Sequence, residues 1–150
     1  MNPQTLMISL SGRQALAAML ALAQQRRGRF VPVRRLSRMI GASPHTLARI
    51  MLRLTAAGLT DALRGPGGGV RLARPAHEIT LFEVVQEIDG PEVLNRCVLG
   101  LGTCDESEPC PLHLIWYPCR QQFRQLLTET TLADLIHRPS TLNQPKVPCT

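Results

Sequence analysis

The sequence predicts a mainly α-helical chain with one small β-hairpin and a long helix near its C-terminal end. Three observations carry this. Apolar residues recur at helical spacing through most of the first half and again from residue 81 onward. A single Gly/Pro tip, Gly65-Pro-Gly-Gly-Gly69, separates two short strand-like runs. Cys97, Cys104, Cys110 and His113 fall within 17 residues, on a stretch too rich in Gly, Pro and charge to be core.

Each element has a local reason. Leu16, Met19, Leu20 and Ala23 recur at i, i+3, i+4, i+7 and predict an amphipathic first helix ending near Arg27-Gly28. A short second helix places Val33, Leu36 and Ile40 inward, and Gly41 ends it. Ser43 caps a third helix, with Pro44 at its first position, where the missing N–H costs nothing. Leu47, Ile50, Met51 and Leu54 form its buried stripe, and Gly58 closes it. The opposite face carries His45, Thr46, Arg49 and Arg53. Two short helices joined by a tight Gly turn, the second with a polar and basic outer face, make a helix-turn-helix. The hairpin of residues 59–74 then reads as a wing, with Arg64 and the glycines at its tip and Arg71 on its second strand. Glycines let a backbone approach phosphates closely, and Arg64 suits a minor groove.

Thr80-Leu-Phe-Glu83 is a capping box opening a fourth helix with Leu81, Val84, Val85 and Ile88 inward; Asp89-Gly90-Pro91 ends it. After the cysteine stretch, Cys110-Pro111 starts a long helix to about Thr128, with Leu112, Ile115, Trp116, Phe123, Leu126 and Leu127 as its apolar positions. Pro118 should kink or loosen it. Thr131-Leu-Ala-Asp134 caps a last short helix. The predicted organisation is a winged helix-turn-helix DNA-binding domain over 1–90, a cysteine-rich loop over 91–110, the long and short helices over 111–137, and a Pro-rich disordered tail over 138–150.

Charge narrows the function. Residues 1–75 hold twelve arginines and one acid, a charge of +11, while residues 76–150 carry −5. Such segregation suggests that the N-terminal half meets a polyanion, here double-stranded DNA. Arginine in place of lysine suits bidentate contacts to phosphate and guanine. The predicted DNA contacts are Arg13, Arg34, Ser43, Pro44, His45, Thr46, Arg49, Arg53, Arg64, Gly65, Gly67, Gly68 and Arg71. No apolar run reaches membrane-spanning length, and Met1–Ser11 lacks the pattern of a signal peptide. The expectation is a cytoplasmic protein whose thiols stay reduced, without a membrane or a small-molecule substrate as partner. Clustered cysteines then argue for metal ligation or redox sensing over disulfides. No carboxylate–histidine–cysteine constellation points to an enzyme. Three thiolates and an imidazole satisfy tetrahedral zinc, but the long intervening loops suit an iron–sulfur cluster better; a plain thiol switch is the third option. Cys119 reads as packing, Trp116 as core or dimer packing, and Cys149, in the tail, as incidental.

The chain resembles the winged-helix iron–sulfur transcription regulators of the IscR/NsrR-like family. The residues that carry the resemblance are Gly12-Arg13-Gln-Ala15, the Gly41-Ala-Ser43-Pro helix entry, Leu63-Arg64-Gly-Pro-Gly-Gly-Gly69 with Arg71-Leu-Ala-Arg74, Glu78-Ile-Thr80-Leu, Cys97…Cys104…Cys110-Pro-Leu-His113 and Thr131-Leu-Ala-Asp134-Leu. The resemblance implies a homodimer, probed by two wings on a palindromic operator and joined through the long helix. It implies a repressor that senses iron–sulfur status, redox state or nitric oxide. It also implies a cluster on Cys97, Cys104 and Cys110, with His113 as fourth ligand in the 2Fe–2S form; 4Fe–4S is the other form. NsrR-like members take a carboxylate from the first helix, and the matching Arg13 cannot ligate. The chain departs from the IscR pattern in three places. Six residues separate Cys97 from Cys104, one more than in that pattern, Ala48 replaces a glutamate of the recognition helix, and Pro118 and Cys119 have no counterpart.

Overall fold

The computed structural model describes residues 7–137; the predicted tail, with Cys149, lies outside them. The elements in chain order are α1 (Leu10–Ala23), α2 (Val33–Ile40), α3 (Pro44–Ala56), β1 (Thr60–Leu63), β2 (Gly69–Leu72), α4 (Leu81–Asp89), α5 (His113–Glu129) and α6 (Leu132–Ile136), with short 3-10 turns at Ala76–Glu78 and Pro91–Leu94. β1 and β2 pair antiparallel, Thr60 opposite Leu72 and Leu63 opposite Gly69, and Val31 bridges to Val70 on the other side of β2. This is the predicted winged helix-turn-helix.

The core lies where α1, α3 and α4 meet. Leu47, Ile50, Met51 and Leu54 of α3 are buried as the spacing predicts, as are Leu81, Val84 and Val85 of α4. In α1 the buried face is Gly12, Ala15, Ala18, Met19 and Leu22, while Leu16, Leu20 and Ala23 pack only partly against it. The apolar residues of α1 run nearly all round it, so their period does not single out a face. The small side chains Gly12, Ala15 and Ala18 allow close approach, and a Cβ on Gly12 would stand 2.6 Å from the Asp89 carboxylate. α1 also stops at Ala23, four residues before the expected Arg27-Gly28.

The caps follow the local chemistry. Ser43 accepts from the Thr46 N–H at the start of α3, and Gly41 ends α2 in the left-handed conformation. Thr80 and Glu83 form the expected capping box on α4, and Thr131 and Asp134 form one on α6. Burial raises the Glu83 pKa, but the Thr80 N–H and the Arg74 guanidinium outweigh it and hold the carboxyl below the usual range.

α5 departs from the sequence reading. It starts at His113, and Cys110 lies in the turn before it. Pro118 sits within the helix. The inward face carries His113, Arg120 and Leu127, with Trp116 and Phe123 half-buried between them. Ile115 and Leu126, two of its apolar positions, are exposed by 70% and 54%, and Leu114 by 87%. Apolar residues line two sides of this helix, and the chain covers only one. Among the described residues no helix is long and apolar enough to cross a membrane.

Candidate functional site

The basic surface is organised by α3 and the hairpin. Ser43 and Pro44 are exposed at the mouth of α3, and His45 and Arg49, one turn apart, are exposed on its outer face. Thr46 is half-buried, and Arg34 on α2 and Arg13 on α1 are exposed. At the hairpin tip the Gly68 N–H donates to the Gly65 carbonyl at 2.9 Å. Pro66 and Gly67 are the central residues of that turn, and Gly67 has φ +74, the requirement of a type II turn. Arg64, Gly65 and Gly67 are exposed there.

Three of the expected DNA contacts have work within the chain. Arg53 donates to the Ile88 carbonyl at 3.2 Å and to the Glu87 carbonyl, fastening α3 to the C-terminal end of α4. These are the unpaired carbonyls of a helix end, which attract a cation. Arg71 pairs with Asp61 at 3.3 Å, donates to the Gly28 carbonyl and stacks 4.4 Å from the Phe30 ring centre. Gly68 is buried, and a Cβ there would stand 2.2 Å from the Leu63 carbonyl oxygen. Its glycine is demanded by hairpin closure, which sequence alone does not separate from approach to a phosphate.

The cysteine site is built on a tight loop. The Cys97 N–H donates to the Gly102 carbonyl at 3.1 Å and the Cys104 N–H to the Asn95 carbonyl at 2.8 Å, with an Arg96–Thr103 bridge between them. This ladder sets Cys97 and Cys104 on facing segments. The Cys104 sulfur lies 3.3 Å from His113 Nδ1. His113 is 7% exposed, and its ring lies 5.5 Å from that of Tyr117. Cys97 is 8% exposed. The backbone N–H groups of Leu101, Leu99 and Gly100 surround its sulfur and, with a contact to Cys110, hold its pKa below the ordinary thiol value against the effect of burial.

The four expected ligands therefore stand as two pairs, Cys97 with Cys110 and Cys104 with His113. His113 opens α5, and the thiol beside its ring is that of Cys104. Among the described residues no three His, Cys, Asp or Glu side chains are grouped to hold one metal ion.

Three residues that the sequence reading did not single out as site residues hold this loop. Arg96 donates to the Asp89 carbonyl at 2.6 Å. Trp116 Nε1 donates to the Arg96 carbonyl at 3.4 Å. Arg120, 8% exposed, donates to the Cys104 carbonyl at 2.8 Å and lies 5.1 Å from the Tyr117 ring centre. A signal was available: His113, Trp116 and Arg120 share one face of a helix at i, i+3 and i+7.

Comparison with known proteins agrees with this architecture. The Rrf2 family profile, described as an iron-dependent transcriptional regulator, matches residues 8–138. The helix-turn-helix transcriptional regulator IscR of Escherichia coli, in the O1:K1 strain as in K12, is 31% identical over 136 residues, which are 91% of this chain and 83% of IscR. The structure of CymR, the global cysteine regulator of Bacillus subtilis, superposes with a TM-score of 0.74 at 26% identity, covering 89% of this chain and 98% of CymR. The oxidized form of Staphylococcus aureus CymR gives a TM-score of 0.70 at 27% identity, covering 89% and 98% of the two chains. IscR of T. potens shares the fold, with a TM-score of 0.70 at 21% identity and 93% of each chain covered.

Proposed function

The chain belongs to the Rrf2 family of transcriptional regulators, and from that premise we propose that it is a homodimeric, cytoplasmic repressor of the IscR type. In this reading it binds a palindromic operator and carries a 2Fe–2S cluster on Cys97, Cys104, Cys110 and His113. The observation that carries the cluster is the pairing of its donors. A 2Fe–2S cluster would draw its four protein donors as two pairs. Cys97 with Cys110 and Cys104 with His113 are two such pairs, whereas one zinc ion needs four donors at one point. When bound, the cluster supplies electron transfer and reactivity toward oxidants and nitric oxide.

The chain's own residues do the rest. Arg120 and the Asn95–Cys104 ladder hold one donor pair, and the N–H groups of residues 99–101 favour the thiolate of Cys97, the form that ligates. Arg49 and His45 present donors to base edges or phosphates, and Arg64 stands at the wing tip. The exposed Leu114, Ile115 and Leu126 form an apolar face on α5 that suits a second copy of the chain.

One observation favours a second reading. Cys97 and Cys110 are neighbouring thiols, so a cluster-free thiol switch is also available to this loop. The deciding experiment is anaerobic purification followed by a visible spectrum, metal analysis and a sulfide assay. A red-brown protein with iron and sulfide in equal amounts supports the cluster. A colourless protein holding zinc, or holding no metal and forming a reversible Cys97–Cys110 disulfide, replaces it.

A further inference from the structure

A cleft of about 490 Å³ lies on the wing domain, bounded by the turn after α1, the base of the hairpin and the segment after β2. Its volume falls in the range of about 300–1,000 Å³ typical of small-molecule sites. Arg26, Arg27, Arg29, Arg71 and Arg74 line it, against Asp61 as the one carboxylate. Asp61 is already paired with Arg71. Two of the arginines are held in place. Arg71 is fixed by Asp61, the Gly28 carbonyl and the Phe30 ring. Arg74 donates to Glu83 at 2.7 Å and to the Glu78 carbonyl at 3.3 Å. Arg26, Arg27 and Arg29 are exposed and make no side-chain hydrogen bond or ion pair among the described residues. Leu22, Leu72, Pro75 and Ala76 give the cleft an apolar part.

Unpaired guanidiniums in a concave, part-apolar setting recognise phosphate by paired N–H donors. The cleft is not an extension of the wing tip. Leu72 and Asp61 lie at one end of the ribbon and Arg64 to Gly69 at the other, separated by about 10 Å of strand. A wing that enters a groove by its tip leaves the base of the ribbon outside it.

We infer that this cleft binds a free anionic ligand of nucleotide size, with its phosphates on Arg26, Arg27 and Arg29 and its planar part against Leu72 and Pro75. Backbone phosphate of bound DNA has the same chemistry and is the other source to be separated. The experiment is calorimetric titration of the full-length protein with ADP, beside a fluorescence titration with a non-cognate DNA duplex. The variants are R27Q/R29Q, which alters only exposed unpaired side chains, and R64A at the wing tip. The expected result is saturable ADP binding that R27Q/R29Q weakens at least about tenfold and R64A leaves unchanged, with duplex affinity of R27Q/R29Q within about twofold of the parent. Three results overturn the inference: no saturable ADP binding at millimolar concentration in physiological salt; equal weakening by R64A, which marks general attraction to a basic surface; or lost duplex affinity in R27Q/R29Q, which assigns the cleft to DNA. Retained ADP affinity in R27Q/R29Q, with the circular dichroism melt unchanged, overturns it as well.

Discussion

Arg53 of the recognition helix and Arg96, the residue before Cys97, donate to consecutive carbonyls at the C-terminal end of α4: Arg53 to Glu87 and Ile88, Arg96 to Asp89. Asp89 in turn accepts from the Ser9 N–H at 2.8 Å, at the start of α1. One helix end thus joins α3, the cysteine loop and the first helix. Under the proposed function this is a non-covalent route by which the loop can bias α3. Arg53→Met should keep the operator contacts of Arg49 and Arg64 but shrink the affinity difference between cluster-loaded and cluster-free protein. A coupling of about fivefold in the parent, about 1 kcal/mol, should fall toward none. Fluorescence anisotropy with both forms measures it, and an undiminished difference rejects the route.

Arg120 anchors the loop from the other side through the Cys104 carbonyl. Arg120→Met leaves that carbonyl without its charged donor, at a cost of about 1–3 kcal/mol. The expected result is faster amide exchange around residue 104 and a shifted visible spectrum of the loaded protein, with Arg120→Lys restoring part of both. An unchanged spectrum and exchange pattern in Arg120→Met contradict the anchoring role.

Each of Cys97→Ala, Cys104→Ala and Cys110→Ala should abolish iron and sulfide content while leaving the fold intact, because the loop adds little to the core. His113→Ala should give a labile or spectrally altered cluster, since one donor of a pair is lost. Full iron and sulfide in any one cysteine variant removes that residue from the ligand set.

The arginines separate by partner. Arg49→Ala and Arg64→Ala, with exposed side chains, should weaken operator binding by about 1–3 kcal/mol without changing the melting temperature. Arg71→Ala should instead lower stability by about 1 kcal/mol, since it removes a ring contact and two hydrogen bonds. Thermal melts beside binding isotherms test both halves. Melting temperatures that ranked the other way would reverse the assignment.

Glu83 makes stability pH-dependent. Its folded pKa is depressed, so its contribution is present above the unfolded value of about 4.3 and is lost as pH falls through the folded value. Urea midpoints measured between about pH 6 and pH 3 should fall more steeply for the parent than for Glu83→Gln, which keeps a capping group but has no charge to lose. Parallel curves argue against this carboxylate.

The helices, their caps and the hairpin were legible in the sequence because each rests on neighbours within about four positions. Ser43 before Pro44, Thr80 with Glu83 and the Gly65–Gly69 tip are local chemistry and need no distant partner. The basic half and the cysteine cluster were legible for the same reason. The pairing of the ligands was not. Cys104 meets His113 and Cys97 meets Cys110 only because the Asn95–Cys104 ladder, Trp116 and Arg120 fold the loop onto α5, and those contacts span 9 to 20 residues. Nor could the sequence separate arginines that face solvent from arginines that serve the fold. Arg49 and Arg53 lie one turn apart on α3, and only the packing of α4 beside α3 gives Arg53 a helix end to bind. Periodicity tells which residues share a face of a helix; which face is covered, and by what, is decided by elements far away along the chain.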